Sequence, residues 1–190
     1  MRSVKTLFLI LLAVAIPISL QAWDPKTEKR IKEFKEEFKG VYIVDGTDIY
    51  LQRVIEFPNT SKEELTQMVK DYVSRRLERL GKNASNSNVR YYRDAYIMVE
   101  HSPIFKINFV FDSFERYTYR IEIKDNRIRA TITLNEVVWP PDVFPTNKFY
   151  PFNKGGRGEK KHMRQFADYA LGILDSIKND MQDELLDDNW

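Results

Sequence analysis

The sequence predicts an α+β domain: an antiparallel sheet with two long amphipathic helices on one face, in the order β-α-β-β-β-β-α, plus an N-terminal helix and strand extension. Two observations carry the helices. The stretches around 62–80 and 160–186 repeat apolar residues at helical spacing, and each is bounded by turn-forming residues. A third carries the sheet, because from Tyr91 to Val138 the chain alternates apolar and polar residues in successive short runs. Such strands have one wet face, and two helices with one apolar stripe each suit the other.

Residues 1–22 are set apart first. Arg2 and Lys5 precede the apolar run "LFLILLAVAI", and Pro17, Ser19 and Ala22 supply a helix break and small residues, the pattern of a secretory signal cleaved near Ala22. The run is shorter than the roughly 20 residues that span a bilayer. The expected localisation is therefore periplasmic or extracellular, with no transmembrane segment after signal removal. Residues 23–47 form the extension. Ile31, Phe34 and Phe38 lie at helical spacing, Gly40 stops that helix, and "VYIV" reads as a strand ending in a tight turn at Asp45-Gly46.

The main domain spans 48–190. In "DIYLQRVIEF", Ile49, Leu51, Val54 and Phe57 are expected inside, and the change of parity between Leu51 and Val54 predicts a bulge. Thr60 or Ser61 caps the next helix, Glu63 and Glu64 suit its positive end, and Gly81 terminates it. Its apolar stripe is Leu65, Met68, Val69, Tyr72, Val73, Leu77 and Leu80. "YYRDAYIMVEH" follows as a strand, turning at Ser102-Pro103 into "IFKINFVFD", where Phe105, Ile107, Phe109 and Phe111 share a face.

The stretch "RYTYRIEIKDNRIRATITL" sets its own register. With Asp125-Asn126 as a two-residue turn, Glu122 opposes Arg129, Arg120 opposes Thr131, and Ile123, Ile121, Tyr119 and Tyr117 oppose Ile128, Ala130, Ile132 and Leu134. A slip by one residue would set an apolar row against a polar one. Residues 138–159 are rich in proline, aromatics and glycine and read as an irregular loop. The final helix, 160–186, places Met163, Phe166, Ala170, Ile173, Leu174, Ile177, Met181 and Leu185 on one face, and its acidic end "DELLDDNW" is unfavourable at a helix C-terminus and is expected to fray.

Composition narrows the function classes. The chain holds 30 Lys+Arg against 28 Asp+Glu, and loss of Arg2 and Lys5 with the signal leaves 28 of each, so a neutral chain offers no global attraction to phosphate backbones. Nucleic acid is not an expected partner. Cysteine is absent, which excludes disulfides, thiol catalysis and thiolate metal sites and points to a bacterial envelope protein held by its core.

The "FPNTSKEEL" start of the first long helix and the "IKDNRIRATITL" hairpin resemble a bacterial family of exported domains of unknown function with a TBP-like (TATA-box-binding-protein-like) fold. The resemblance covers roughly residues 48–138. It implies half of the TBP fold, and it brings no catalytic residues with it.

Candidate chemistry is sparse. His101 and His162 lack zinc-site spacing and read as surface or capping histidines. No "GxSxG" elbow frames a serine nucleophile. Asp112 and Glu115 lie near a hairpin turn, where solvation accounts for acids. "NKGGRGEKKH" lacks the context of a phosphate loop and reads as a hinge before the last helix. No catalytic residue, cofactor or metal is therefore expected. The expected contact residues are Trp139, Phe144, Phe149 and Tyr150 on the proline-stiffened loop, and Arg120 and Arg129 on the polar sheet face. The expected function is that of a non-enzymatic, exported domain making protein or surface contacts with an envelope partner. The alternative is a small-ligand binder with a pocket between the aromatic loop and the sheet.

Overall fold

The computed structural model describes residues 23–80, 89–106, 112–154 and 157–182. The elements, in chain order, are α1 (Pro25–Glu37), β1 (Ile43–Asp45), β2 (Asp48–Glu56), α2 (Lys62–Leu80), β3 (Arg90–Tyr92), β4 (Ala95–His101), β5 (Phe105–Lys106), β6 (Asp112–Lys124), β7 (Arg127–Trp139), β8 (Asp142–Pro145) and α3 (Arg157–Gln182). A 3-10 turn, Thr146–Lys148, follows β8. The sheet order is β1-β2-β7-β6-β4-β3, every pairing is antiparallel, and β5 and β8 extend the sheet beside the start of β6 and the end of β7.

The hairpin of β6 and β7 is the centre of the sheet and has the register its sequence predicts: Lys124↔Arg127, Ile123↔Ile128, Glu122↔Arg129, Ile121↔Ala130, Arg120↔Thr131, Tyr119↔Ile132 and Tyr117↔Leu134. Asn126 takes φ +63° in the turn, a left-handed conformation that asparagine tolerates. Alternation then divides the hairpin between two environments. Tyr117, Tyr119, Ile121, Ile132 and Ala130 are fully buried beneath the helices, while Arg120, Lys124, Arg127 and Arg129 face water.

The helices supply the other side of that core. Ser61 caps α2 in a reciprocal arrangement, its Oγ accepting from the Glu64 N–H at 3.2 Å while its own N–H donates to Glu64 Oε2 at 2.8 Å. Leu65, Met68, Val69, Tyr72 and Val73 of α2 are buried, as are Met163, Phe166, Ala170, Ile173, Leu174, Ile177 and Met181 of α3. Leu185 and the acidic end lie outside the described residues. The 23–47 segment shares this core. Phe34, Phe38 and Tyr42 are buried in it, and the Tyr42 hydroxyl donates to the Met163 carbonyl at 2.8 Å.

Four expectations are corrected. The pairing of β2 with β7 is regular from Ile49↔Leu134 to Glu56↔Arg127, so Val54 lies on the polar face, 55 % exposed, and Arg53 takes the helix side, where it meets Asp175 at 3.1 Å. The parity change falls in β7 instead, where Arg116 opposes Glu136 but Tyr117 opposes Leu134, leaving Asn135 as the extra residue. "YYRDAYIMVEH" is a hairpin rather than one strand, because Arg93 and Asp94 both take positive φ (47° and 62°) and turn β3 back on β4. The 138–159 stretch is largely ordered, with β7 running to Trp139 and β8 pairing back onto it through Val137↔Phe144 and Val138↔Val143. Ile107, Phe109 and Phe111 lie outside the described residues.

The turn conformation gives a direct check. Asn126→Gly should keep stability within a few tenths of a kcal/mol, whereas Asn126→Val should lose about 1–2 kcal/mol in urea unfolding, the cost of a β-branched residue in the left-handed region. Equal midpoints for the two variants would contradict a left-handed residue 126 in this turn.

Candidate functional site

Three groups of polar side chains stand out, two beneath the helices and one on the open face. The first is built on the start of β6. Ser113 and Glu115, two residues apart, point to the same face, and α3 brings His162 over them. Ser113 Oγ lies 2.7 Å from His162 Nδ1, and His162 Nε2 meets Glu115 Oε1. The Ser102 hydroxyl donates to Glu115 Oε2 and accepts from the Glu115 N–H at 2.8 Å. Nε2 faces the carboxylate, and the donor and acceptor roles of Ser113 Oγ and Nδ1 follow from which ring nitrogen carries the proton.

Serine, histidine and glutamate in this order are the parts of a nucleophilic relay. Yet Ser113, Glu115 and His162 are each 0 % exposed. Phe105, Trp139 and Phe149 surround the imidazole with ring centroids 5.9, 6.5 and 5.7 Å away. No substrate atom reaches Ser113 Oγ in this arrangement, and the cluster serves to satisfy a buried carboxylate. The expectation of a surface or capping His162 and a solvated Glu115 is thereby corrected. Asp112, by contrast, is exposed, and His101 is partly exposed on the open face, where its Nε2 accepts from Arg116 Nε at 3.1 Å.

The second group holds Glu100, 1 % exposed on the helix face of β4. Arg76 of α2 clasps it with two bonds, Nε to Oε1 at 2.8 Å and Nη2 to Oε2 at 2.6 Å. The Tyr117 hydroxyl also donates to Oε2, at 2.7 Å, and lies 3.1 Å from the Tyr169 hydroxyl. Burial disfavours the Arg76 charge, but the hydrogen bonds and charge of Glu100 outweigh it and raise its pKa. Burial, and then the charge of Glu100, push the Tyr117 hydroxyl far above its usual range, so it stays a donor. Phe105 and Tyr169, 6.2 Å apart, lie between this cluster and the first.

The third group lies on the face that no described helix covers. Glu122 accepts from Arg129 Nε at 2.7 Å and from Arg120 Nη2 at 3.0 Å, linking two of the expected contact residues through one carboxylate. The hydrogen bond from Arg129, then the nearby arginine charges, hold the Glu122 carboxyl below its usual value against the opposing effect of partial burial. A shallow depression of about 130 Å³ opens between Glu122, Arg129, Val54, Lys124 and Arg127.

The expected aromatic contacts are distributed differently. Phe149 and Tyr150 are 2 % exposed and belong to the core, while Trp139 and Phe144 are half-buried, Trp139 packing edge-on against both Phe144 and Phe149. Arg120 and Arg129 are the members of the expected contact set that face water. Where the loop meets the sheet, a second depression is lined by Thr47, Asp48, Thr133, Asn135, Thr146 and Asn147 and by no aromatic ring. Among the described residues no group of three or more metal-ligating side chains converges, and no helix is long and apolar enough to cross a membrane.

The two environments predict different costs. Arg76→Ala should lose about 3–5 kcal/mol by stranding Glu100, whereas Glu122→Gln on the open face should lose at most about 1 kcal/mol. Glu122 has a depressed folded pKa, so its contribution is complete above the unfolded carboxylate value of about 4.3 and is lost as pH falls through the folded value. The gap between wild type and Glu122→Gln in urea unfolding should therefore close on acidification, and a gap that widened would contradict the pairing. Ser113 should resist a fluorophosphonate probe in the native protein; stoichiometric labelling abolished by Ser113→Ala would show that the relay opens.

No protein-family pattern and no curated protein matches the chain. Solved structures do. A TBP-like protein from Parabacteroides distasonis shares 14 % identity at a TM-score of 0.62, covering 76 % of this chain and 98 % of its own. A DUF4468 family protein from Bacteroides ovatus shares 10 % identity at a TM-score of 0.63, covering 77 % and 94 %. At these identities the likeness is one of fold, and the fold is the TBP-like α+β fold of these bacterial proteins.

Proposed function

We propose that the chain is a non-enzymatic interaction domain, exported to a bacterial envelope space by residues 1–22, that works through the open face of its sheet. The observation that carries this reading is the contrast between the two faces. On the helix side the relay-like residues and the paired glutamate are sealed, whereas the open side presents Arg120, Glu122 and Arg129 beside the exposed Val54, with Ile43 exposed on the edge strand. A mixed surface of arginine, polar and scattered apolar groups suits protein contact. The signal-like start and the absence of cysteine support the compartment. A small-ligand pocket beneath the aromatic loop has less support, because Phe149 and Tyr150 fill that space themselves.

The test is a pull-down from envelope extract of the host with the wild type, the Arg120→Glu/Arg129→Glu variant and the Ser113→Ala variant, each checked for folding by circular dichroism. A partner retained by Ser113→Ala and lost by the folded double variant is the expected result. Retention by the double variant with loss in Ser113→Ala would move function to the buried relay, and no partner with any protein would overturn the interaction reading.

A further inference from the structure

We propose that the hairpin end of the open face is a docking site for an extended acidic peptide segment of a partner, held by Lys124, Arg127 and Arg129. This inference rests on the reading of the open face as the contact surface and names what that surface receives.

Lys124 and Arg127 are directly opposed in the last pair of the hairpin, and like charges at that distance repel. The nearby carboxylates do not relieve them. Asp125, in the turn between them, is directed to the helix layer, where it accepts from the Lys62 N–H at 3.0 Å. Glu122, one row away, is already bonded to Arg120 and Arg129. Glu56 stands beside Arg127 on β2, one anion next to two cations. Neither Lys124 nor Arg127 has a side-chain hydrogen bond or ion pair among the described residues. This end of the face therefore carries four cations, Arg120, Lys124, Arg127 and Arg129, against Glu56 and Glu122.

Charge asks for an anion, and geometry asks for a peptide. Arg127 and Arg129 alternate along one strand, so their side chains emerge about 6.6–6.8 Å apart, the repeat of alternate side chains on any extended chain. Acidic residues at every second position match that spacing. Val54, 55 % exposed, lines the same depression and offers contact to an apolar side chain between or beside the acids. A free inorganic anion would leave that apolar surface uncovered.

The test uses fluorescence anisotropy with a labelled Asp-Leu-Asp-Leu-Asp-Leu peptide and the Asn-Leu-Asn-Leu-Asn-Leu peptide as its uncharged counterpart. Two variants are compared: Lys124→Gln/Arg127→Gln, which only removes charge, and Lys124→Glu/Arg127→Glu, both checked for native circular dichroism. The expected result is binding of the aspartate peptide alone, weakened about tenfold or more in both variants, and lost in about 1 M salt, where screening acts within about 3 Å. Equal binding of the asparagine peptide, indifference to both double substitutions, or displacement of the peptide by an equal concentration of inorganic phosphate would overturn the proposal. A partner captured through Arg120 and Arg129 by a protein that ignores the aspartate peptide would sink this inference while leaving the open-face reading intact.

Discussion

The pairing of β6 with β7 runs from Phe114↔Val138 to Lys124↔Arg127, and each other layer of the molecule is positioned by which side of it a residue occupies. Because side chains alternate with a period of two, the Asp125-Asn126 turn assigns a face to some two dozen residues at once. The inward row receives α2 and α3. The outward row is polar and no described helix covers it, and β2 and β4 join on either side in registers that continue the same division. Asp125 also ties this hairpin to the N-terminus of α2 through the Lys62 N–H, so one turn fixes the register and locates a helix.

The bulge at Asn135 is the one break in that regularity, and it shapes the far end of the molecule. With one extra residue in β7, both Leu134 and Val137 point inward. Thr146 Oγ1 lies 2.7 and 2.8 Å from the carbonyls of Leu134 and Asn135, which anchors the turn after β8 to the bulge, and Asn135 Nδ2 donates to Thr118 Oγ1 at 2.9 Å. The aromatic segment then folds back over His162 instead of reaching into solvent. Burying the Glu115 carboxylate at this end costs desolvation, which His162 and the Ser102 hydroxyl offset. Resemblance to a nucleophilic relay follows from satisfying that carboxylate in a dry place.

Much of the fold was legible because the informative residues act locally. The Ser61/Glu64 cap, the Asp125-Asn126 turn and the strict alternation of "YRIEIKDNRIRATITL" are short-range signals, and all three hold. Val54 misled because a valine in a strand reads as inward, whereas only the pairing with Arg129 reveals its face. The Arg93-Asp94 turn carries no glycine or asparagine, so its positive φ angles had no strong sequence mark. The placement of Arg120 and Arg129 on the polar face was legible from the hairpin, but the buried clusters were not. Ser113 and Glu115 lie 49 and 47 positions before His162, and Arg76 lies 24 before Glu100, so no spacing rule joins them. The i, i+2 pattern of Ser113 and Glu115 on an alternating strand was the available hint, and the inward parity shared with Tyr117 would have exposed it.

The inward row of the hairpin is buried and its closed end encloses the serine–histidine–glutamate cluster, and on that enclosure rests the proposal of the open face as the contact surface. Native-state hydrogen exchange tests this most directly. The amides of Tyr119, Ile121, Ile132 and Leu134 should exchange only through global unfolding, and the Glu115 amide, which donates to Ser102 Oγ, should open at nearly the same free energy. Exchange of Glu115 and Ser102 at a far lower free energy than the hairpin centre would mean that this end opens by itself, and would return the buried serine to the list of functional groups.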